Sequence, residues 1–371
     1  MKVPIRLNNI RKRLMIRLTK NVGTASYIKN PNATANKSIK RVLISRPNGR
    51  LGNILLITPL VQDVVATFPD CKIDLFVKGG LAEVVFKNYP NVDRIIQLPR
   101  KPFNELLKYI NTWVKIKRKR YDLVINVVPH SSSGRLSAKF ARSGLKIIGG
   151  AEGLSDKYPD YNHIAKHPVY DFRNFLTQIG FEENTAPIPP LDLKLSAQEL
   201  EHGHEVLKKL VDINKKTLSI FTFATGAKCY SEDAWELFYN QLLEQFPNHN
   251  IVEILPKENV SQIGFKAPTF YSNDVREIAA VIASTEAFIG ADSGIMHLAS
   301  ASLTPTIGLF GFTNPETFGP YDNESTAVDT RNTTVAQWLT TTKDILFKAR
   351  KTAYAIGLFA LHKIDFIEAN L

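Results

Sequence analysis

The sequence predicts an α/β protein with two domains, each built on a doubly wound parallel sheet. Short apolar runs typical of buried strands alternate with segments of helical periodicity along most of the 371 residues. A proline-rich segment at 186–190 predicts a linker near the middle of the chain, and the length suits two ordinary domains. We therefore predict domains at 39–185 and 191–345. An arm and linker at 1–38 precede them, and a helical segment at 346–371 follows.

In the first predicted domain, five apolar runs have the length and composition of strands. The run at 121–128 is almost wholly apolar, as strands buried on both faces of a parallel sheet are. A glycine-containing loop at 47–53 follows the first strand, and His130 follows the fourth. The predicted strands cover 41–46, 72–77, 93–98, 121–128 and 145–148.

The second predicted domain repeats this alternation. Its first helix, at 196–210, begins with Ser196 and Glu199 in the spacing of a capping box. The predicted strands cover 217–223, 251–255, 287–290, 306–310 and 325–329.

The stretch from 288 to 320 contains the clearest functional pattern. An apolar strand is broken by Asp292-Ser293-Gly294, and a helical pattern follows. A helix start offers unpaired N–H groups and a positive dipole end, which suit a phosphate, and Asp292 or Ser293 can cap it. His297 lies one turn further on the same side. The same residues are also ordinary capping chemistry, and a histidine there is often structural, so this pattern alone leaves function open.

A second loop, Thr225-Gly226-Ala227-Lys228, follows the first strand of the second domain. Gly226 permits close approach of backbone to a ligand, and Lys228 supplies a positive point charge. Together with the helix start after Ser293, this loop would hold a diphosphate. The alternative is a surface lysine in an ordinary loop.

The net charge of +12 is concentrated at the start of the chain. Residues 1–62 contain 13 of the 47 lysines and arginines and no acid, whereas basic and acidic residues nearly balance in the remainder. A charge confined to one arm argues against a broad nucleic-acid surface. Residues 1–20 combine an apolar helical stripe with basic residues, which predicts contact with an anionic membrane. A solvated arm is the alternative.

Other classes of protein lack their sequence patterns here. We find neither a glycine-rich dinucleotide fingerprint nor a phosphate-binding P-loop, no nucleophile elbow and no cluster with metal-ligand spacing. No apolar stretch reaches the length of a membrane-spanning helix, and the first residues do not form a signal peptide. The two cysteines fit a reducing compartment. We therefore expect a cytoplasmic protein without metal or cofactor.

Three segments resemble the heptosyltransferase family of glycosyltransferases, of the ADP-heptose:lipopolysaccharide type. Residues 41–60, RVLISRPNGRLGNILLITPL, are similar to the family's first strand, loop and helix. Residues 221–238, FTFATGAKCYSEDAWELF, are similar to its strand, glycine loop, lysine and tryptophan. Residues 290–321, GADSGIMHLASASLTPTIGLFGFTNPETFGPY, are close to its Asp-Thr/Ser-Gly-x-x-His-x-Ala signature and the continuation of that signature.

The resemblance implies a GT-B fold, in which two Rossmann-like domains face a central cleft and a C-terminal helix crosses back. It implies inverting, metal-independent transfer of a heptose-like sugar from a nucleoside-diphosphate donor, ADP-heptose-like, bound on the second domain. The acceptor would be a lipopolysaccharide core or another glycan or lipid-linked molecule on the first domain. Such an enzyme would act on the inner face of the cytoplasmic membrane, with residues 1–20 in peripheral contact.

By position, the resemblance also assigns residues to the donor pocket. Those expected to face the donor phosphates are Thr225, Gly226 and Lys228. Those expected to line the same pocket are Asp292, Ser293, Gly294 and His297. Glu258 matches a carboxylate that contacts the ribose.

One position departs from the family in a way that concerns catalysis. The family places an aspartate, its general base, directly after the loop glycine, whereas Gly52 is followed here by Asn53. An amide does not accept a proton at neutral pH, and Asp63 is the first acid of the chain. Either another base serves, with His130 as the candidate, or Asn53 only orients the acceptor, or catalysis is lost.

Two hypotheses from different classes follow. One is an active sugar transferase, and the other is a non-catalytic member that binds nucleotide-sugar or glycan. A third reading is another nucleotide-dependent α/β enzyme.

Overall fold

The structure is a computed structural model that describes residues 38–100, 104–148 and 150–348, together with residues 13, 17, 27 and 28. The chain divides into two compact units, Met1–Pro189 and Pro190–Leu371. Nearly all of the basic arm predicted at 1–20 lies outside the described residues. The helical segment predicted at 346–371 lies outside them beyond residue 348.

The first unit is built on a six-stranded sheet. Its strands are β1 Tyr27–Ile28, β2 Arg41–Ser45, β3 Lys72–Lys78, β4 Val92–Leu98, β5 Leu123–Asn126 and β6 Leu145–Ile147. The strand order is β1-β6-β5-β2-β3-β4. All neighbours are parallel except β1, which pairs antiparallel with β6. The segment predicted as a linker therefore contains a two-residue edge strand, which sequence pattern did not reveal.

The helices of this unit follow the strands in the alternation that the sequence predicts. They are α1 Leu51–Leu55, α2 Thr58–Thr67, α3 Leu81–Val85, α4 Leu106–Arg118, α5 Ser132–Phe140, α6 Leu154–Lys157 and α7 His167–Gln178.

The segment after β2 differs from the predicted loop at 47–53, because the last residues of that segment are helical. Two helices form instead, separated by Leu56 and Ile57. Pro59 stands in the first turn of α2, where the missing N–H costs no helical hydrogen bond. Asn53 therefore lies on the short helix α1, so its placement in the loop was wrong.

The second unit contains another six-stranded sheet, with strand order β12-β11-β10-β7-β8-β9 and parallel pairing throughout. Its strands are β7 Lys216–Phe221, β8 His249–Ile254, β9 Thr269–Phe270, β10 Ala287–Ala291, β11 Thr306–Phe310 and β12 Thr326–Asp329. Its helices are α8 Ala197–Leu210, α9 Glu232–Gln245, α10 Val275–Ala283, α11 Gly294–Ala301 and α12 Pro315–Phe318. Residues 335–348 are also helical.

The core of the second unit explains why its central strands are apolar. The strands β10 and β11 are buried along their whole length, as strands covered on both faces of a parallel sheet are. Trp235, Phe238 and Leu242 of α9 pack on one side within a single apolar cluster. The predicted capping box of Ser196 and Glu199 is confirmed at the start of α8.

The prediction of two α/β units with doubly wound parallel sheets is confirmed. Because β7, β10 and β11 are neighbours in one sheet, the loops that follow them meet at its carboxyl edge, where ligands bind in such folds. Among the helices in the described parts of the chain, none has both the length and the apolar character needed to cross a bilayer.

Candidate active site

Loops after three neighbouring strands of the second unit converge on one carboxylate. The Lys228 ammonium, after β7, donates to Asp292 Oδ2 at 2.5 Å. Thr313, after β11, donates its hydroxyl to the same oxygen. Asp292 itself follows β10 directly, and its side chain is only 6% exposed. The structure therefore brings together two residues that the sequence assigned to one pocket, Lys228 and Asp292.

Lys228 has room for a further anionic partner. Its side chain is 32% exposed, and an ammonium has three donors, of which Asp292 takes one. The ammonium also lies 6.0 Å from the centroid of the Phe318 ring in α12. A phosphate oxygen on the exposed side would meet a cation whose position Asp292 already holds.

The start of α11 is capped by Ser293. Its Oγ accepts a hydrogen bond from the Met296 amide at 3.2 Å, so of the two caps that the sequence left open, the serine serves and Asp292 binds Lys228 instead. Among the described residues, none accepts a hydrogen bond from the amides of Gly294 and Ile295. These amides lie at the positive end of the α11 dipole, which favours an anion.

His297 lies on α11 one turn after Ser293, as predicted from the spacing. Its side chain is buried, at 6% exposure, so the structure places the ring in the interior of the second unit. Its predicted contact with a donor stays a prediction.

Thr225 and Gly226 form the exposed start of the β7 loop. Gly226 has a φ of +66°, a left-handed conformation that favours glycine, and opens a single 3₁₀ turn, Gly226–Lys228. No atom would lie within 4 Å of a Cβ at Gly226. The backbone conformation, rather than crowding, therefore accounts for the glycine. This turn carries Lys228 to Asp292.

Glu258 lies in an exposed turn after β8. Among the described residues, its side chain forms no hydrogen bond with the Lys228–Asp292 pair. Its contact with a ribose stays a prediction.

A buried carboxylate that sequence reasoning missed holds the loop after β8. Glu253 Oε1 accepts from the Thr222 hydroxyl at 2.6 Å, and Oε2 accepts from the Ser261 hydroxyl at 2.7 Å. Burial raises the pKa of Glu253. A lone glutamate within the apolar run of β8 was the available signal. This network anchors the loop that carries Glu258 to the end of β7.

Tyr230 and Gly311 were also missed. The Tyr230 hydroxyl lies 2.7 Å from the Thr330 hydroxyl, and a Cβ at Gly311 would come within 3.1 Å of the Tyr230 oxygen. Burial raises the pKa of Tyr230, and the charges of Asp292 and Asp329 add to the effect. The cluster of turn-forming residues after β11 was the signal that this loop belongs to the site.

In the first unit, Asn53 is held by a buried cation. The Arg46 Nη2 donates to Asn53 Oδ1 at 2.6 Å. Arg46 is 2% exposed, and its Nε and Nη1 have no hydrogen-bond partner among the described residues. Burial lowers the pKa of Arg46 to about 10, so the guanidinium remains charged at neutral pH. This contact orients the amide so that its oxygen faces Arg46, and the amide N–H groups can donate to another molecule.

Two histidines lie near this edge of the first sheet. His130 is exposed in the turn after β5, the neighbour of β2, and among the described residues it forms no hydrogen bond with Asn53. His167, which sequence reasoning missed, has its Nε2 3.3 Å from the Val127 carbonyl. Burial, followed by the charge of Arg46, lowers the pKa of His167, which favours its neutral form.

No cluster of three or more histidine, cysteine, aspartate or glutamate side chains suited to a metal ion occurs among the residues that the structure describes.

Comparison with known proteins gives consistent matches. The sequence profile of glycosyltransferase family 9 (heptosyltransferase) matches residues 110–343. Lipopolysaccharide heptosyltransferase 3 of Escherichia coli is 25% identical over 291 residues, which cover 73% of this chain and 84% of that protein. The lipopolysaccharide core heptosyltransferase OpsX of Haemophilus influenzae is 22% identical, with coverage of 74% and 80%.

Solved structures show the same fold. The crystal structure of the glycosyl transferase family 9 protein from Veillonella parvula has a TM-score of 0.68 at 17% identity, and covers 85% of this chain and 100% of that one. The E. coli heptosyltransferase WaaC with ADP has a TM-score of 0.60 at 16% identity, with coverage of 82% and 99%. These similarities confirm the predicted GT-B class of fold. The family profile covers more than half of the sequence, and the chain belongs to glycosyltransferase family 9, the heptosyltransferase family.

Proposed function

We propose that this protein transfers a heptose-like sugar from a nucleoside-diphosphate donor, ADP-heptose-like, to an acceptor of the lipopolysaccharide core or another glycan or lipid-linked acceptor. Its relatives in Escherichia coli and Haemophilus influenzae are named lipopolysaccharide heptosyltransferases, which supports the substrate class. The observation that carries the proposal is the partly exposed Lys228 ammonium held by Asp292 beside the start of α11.

The proposed reaction is a single inverting displacement. An acceptor hydroxyl attacks the anomeric carbon as the bond from that carbon to the diphosphate oxygen breaks, so the diphosphate leaves with additional negative charge. Lys228 and the amides of Gly294 and Ile295 would stabilise this charge, which is where electrostatic assistance lowers a barrier most. These groups would make the step independent of a metal.

We assign the other residues of the proposed donor pocket roles that match their positions in the second unit. Thr225 and Gly226 would bring backbone close to the phosphates, Ser293 would hold the helix start, and Glu258 would contact the ribose. His297 would line the pocket from α11.

The proton of the acceptor hydroxyl needs a base other than Asn53. Since Arg46 occupies the amide oxygen at 2.6 Å, we assign to Asn53 the orientation of the acceptor through its N–H groups. His130, exposed after the neighbouring strand, is the proposed base.

The same contact favours a second candidate function, a member of the family that binds nucleotide-sugar or glycan without transfer. A carboxamide is not a base at neutral pH, and the oxygen of Asn53 also accepts a hydrogen bond from the charged Arg46. The two candidates make different predictions for one substitution, Asn53→Asp.

The experiment that tests the function has two stages. First, thermal shifts with ADP, UDP and GDP identify the nucleobase of the donor, because a ligand that binds the folded protein raises the melting temperature of the protein. Second, ADP release and sugar transfer are measured with ADP-heptose and a heptose-deficient lipopolysaccharide acceptor. Transfer by the unaltered chain supports the enzyme, whereas binding without transfer or hydrolysis supports the non-catalytic member.

Asn53→Asp then separates a missing base from a missing pocket. Positioned general bases contribute on the order of 10²-fold or more, so we expect this variant to raise kcat about tenfold or more if the acceptor site is competent. His130→Ala should lower kcat in the unaltered background. The matched control is His202→Ala, at an exposed histidine of α8 in the other unit, which pairs with Glu277. If neither Asn53→Asp nor His130→Ala changes turnover, both assigned roles are wrong.

We also propose that the protein works at the inner face of the cytoplasmic membrane, with peripheral contact through residues 1–20. The support is the basic, amphipathic sequence of that arm and the lipid-linked nature of the proposed acceptor.

A further inference from the structure

The helix α4 of the first unit has an outward face that is unusually apolar. Thr112 and Ile116 are buried on its inner side, and Tyr109 and Trp113 pack against the core there. On the other side, large apolar residues are left in solvent. They are Leu106, 56% exposed, Leu107, 85% exposed, and Ile110, 50% exposed. Three large apolar side chains exposed within five residues of one helix, next to charged residues, indicate an interaction surface.

The solvent-exposed side of α4 is basic along its second half. Lys115, Lys117 and Arg118 are exposed in its last turns, and Lys108 flanks the apolar end. Glu105, which pairs with Lys108 at 3.2 Å, is the acidic residue beside that end. The helix therefore offers apolar side chains at its start and cations at its end, over 13 residues.

A cationic cavity of about 440 Å³ adjoins the basic end of α4. Five cationic side chains and one carboxylate line it, namely Arg41, Arg94, Lys115, Arg118, Lys119 and Asp93. Lys119 and Arg94 are also held by the buried Asp74, at 3.0 and 2.8 Å. The cavity lies at the amino edge of the first sheet, since Arg41 begins β2, and so at the opposite edge from Asn53. Its chemistry suits a phosphate group.

We propose that the outward face of α4 docks on an anionic phospholipid bilayer. Leu106, Leu107 and Ile110 would enter the boundary between headgroups and acyl chains, and the cations of the last turns would bind lipid phosphates. Helices that lie in the plane of a membrane interface typically combine apolar residues with lysine and arginine. Cations near an anionic leaflet add attraction that salt weakens.

A second copy of this chain fits the face less well. In a two-fold interface the same patch meets itself. Antiparallel pairing of two α4 helices would place the leucines against the lysines, and parallel pairing would bring the cations together. Neither arrangement is complementary in charge, whereas a bilayer with anionic headgroups complements both halves of the helix.

This proposal deepens the proposed membrane contact by assigning a second contact surface, and it does not depend on sugar transfer. It also uses different residues from the arm at 1–20. The helix follows β4, so its first turn lies toward the carboxyl edge of the first sheet, the edge that holds Asn53. Docking through α4 would bring that edge toward a lipid-linked molecule.

The first test is cosedimentation of the full chain with phosphatidylcholine vesicles and with vesicles that also contain phosphatidylglycerol. We expect binding to the mixed vesicles and its loss at high salt. The pair Lys115→Gln and Arg118→Gln should lower affinity roughly 25-fold, at about fivefold per cation. The pair Leu107→Ser and Ile110→Ser should lower it about tenfold or more.

Matched controls exist in the second unit. Leu237 and Leu243 of α9 are 51% and 44% exposed, and Lys208 and Lys209 lie exposed in the last turn of α8. Substitution of the two leucines by serine, or of the two lysines by glutamine, should leave vesicle binding unchanged. If the α4 variants bind as tightly as the unaltered chain, or if the control variants lose as much affinity, the proposal is wrong.

A second measurement reports on α4 directly. Leu107→Cys is labelled with an environment-sensitive dye in a Cys229→Ser background, since the other cysteine, Cys71, is buried. We expect a blue shift with anionic vesicles and none with inorganic phosphate alone. The same dye at Leu237→Cys should not respond. A dye at Leu107 that stays in an aqueous environment on bound vesicles overturns the proposal.

Sedimentation velocity without vesicles tests whether a second copy of this chain binds the outward face of α4. The unaltered chain and the Leu107→Ser, Ile110→Ser variant should have the same oligomeric state. An assembly that this variant dissociates would assign the face to a second copy of the chain and overturn membrane docking.

Discussion

Lys228→Ala tests the electrostatic centre of the proposed donor site. The ammonium is held 2.5 Å from Asp292 and is 32% exposed. Two unit charges about 4 Å apart interact by about 4 kcal/mol at an effective dielectric constant of 20. Because solvent reaches one-third of the side chain, we reduce this to about 2–3 kcal/mol for the charge that develops on the departing diphosphate. The variant should therefore lose about 30- to 150-fold in kcat/KM.

The assay is ADP release from ADP-heptose in the presence of acceptor. The control is Lys216→Ala, at a lysine that begins β7 and pairs with Glu286 at 2.6 Å. Lys216 also pairs with a carboxylate, but it lies at the start of β7, at the opposite edge of the sheet from Lys228. The kcat/KM of this control variant should therefore stay within about twofold of the unaltered enzyme. Thermal melts of both variants monitor folding. A folded Lys228→Ala variant whose kcat/KM lies within threefold of the unaltered enzyme refutes the assignment of Lys228 to the leaving group.

Two further predictions concern stability. Asp63→Asn breaks the buried pair with Arg173, whose closest contact is 2.6 Å, and should lower the free energy of unfolding by about 3 kcal/mol in urea titrations; an unchanged midpoint contradicts this. Burial raises the pKa of Asp171 from 3.8 to about 6, so the folded state binds the proton more tightly and stability falls as pH rises from about 4 to above 6, by up to about 3 kcal/mol. Asp171→Asn should remove this slope, and persistence of the slope would assign it to another group.

Much of the candidate site could be predicted because it is local in sequence. The strand at 287–290, the polar break at 292–294 and the helix that follows are encoded by adjacent residues. Capping is also local, although the sequence did not decide between Asp292 and Ser293. That choice depends on Lys228 and Thr313, which lie 64 and 21 residues away and engage Asp292.

Contacts between distant segments account for what the sequence did not predict. Gly134 appears in the sequence only as the end of a serine run, but a Cβ there would lie 2.2 Å from Asn126 Oδ1. Even over a short separation, the orientation of the Asn53 amide depends on the burial of Arg46 beside it, which the sequence does not show. Such constraints depend on which elements become neighbours, and residue type alone does not reveal this.

The sequence by itself determined the alternation of strands and helices, the two units and the membership of the family, because periodicity and motif spacing are properties of neighbouring residues. Only the tertiary structure decided which side of α4 is left in solvent and that Arg46 is buried without a carboxylate partner among the described residues. The reason is that burial and pairing depend on sheet order and packing, which bring together residues far apart in the chain.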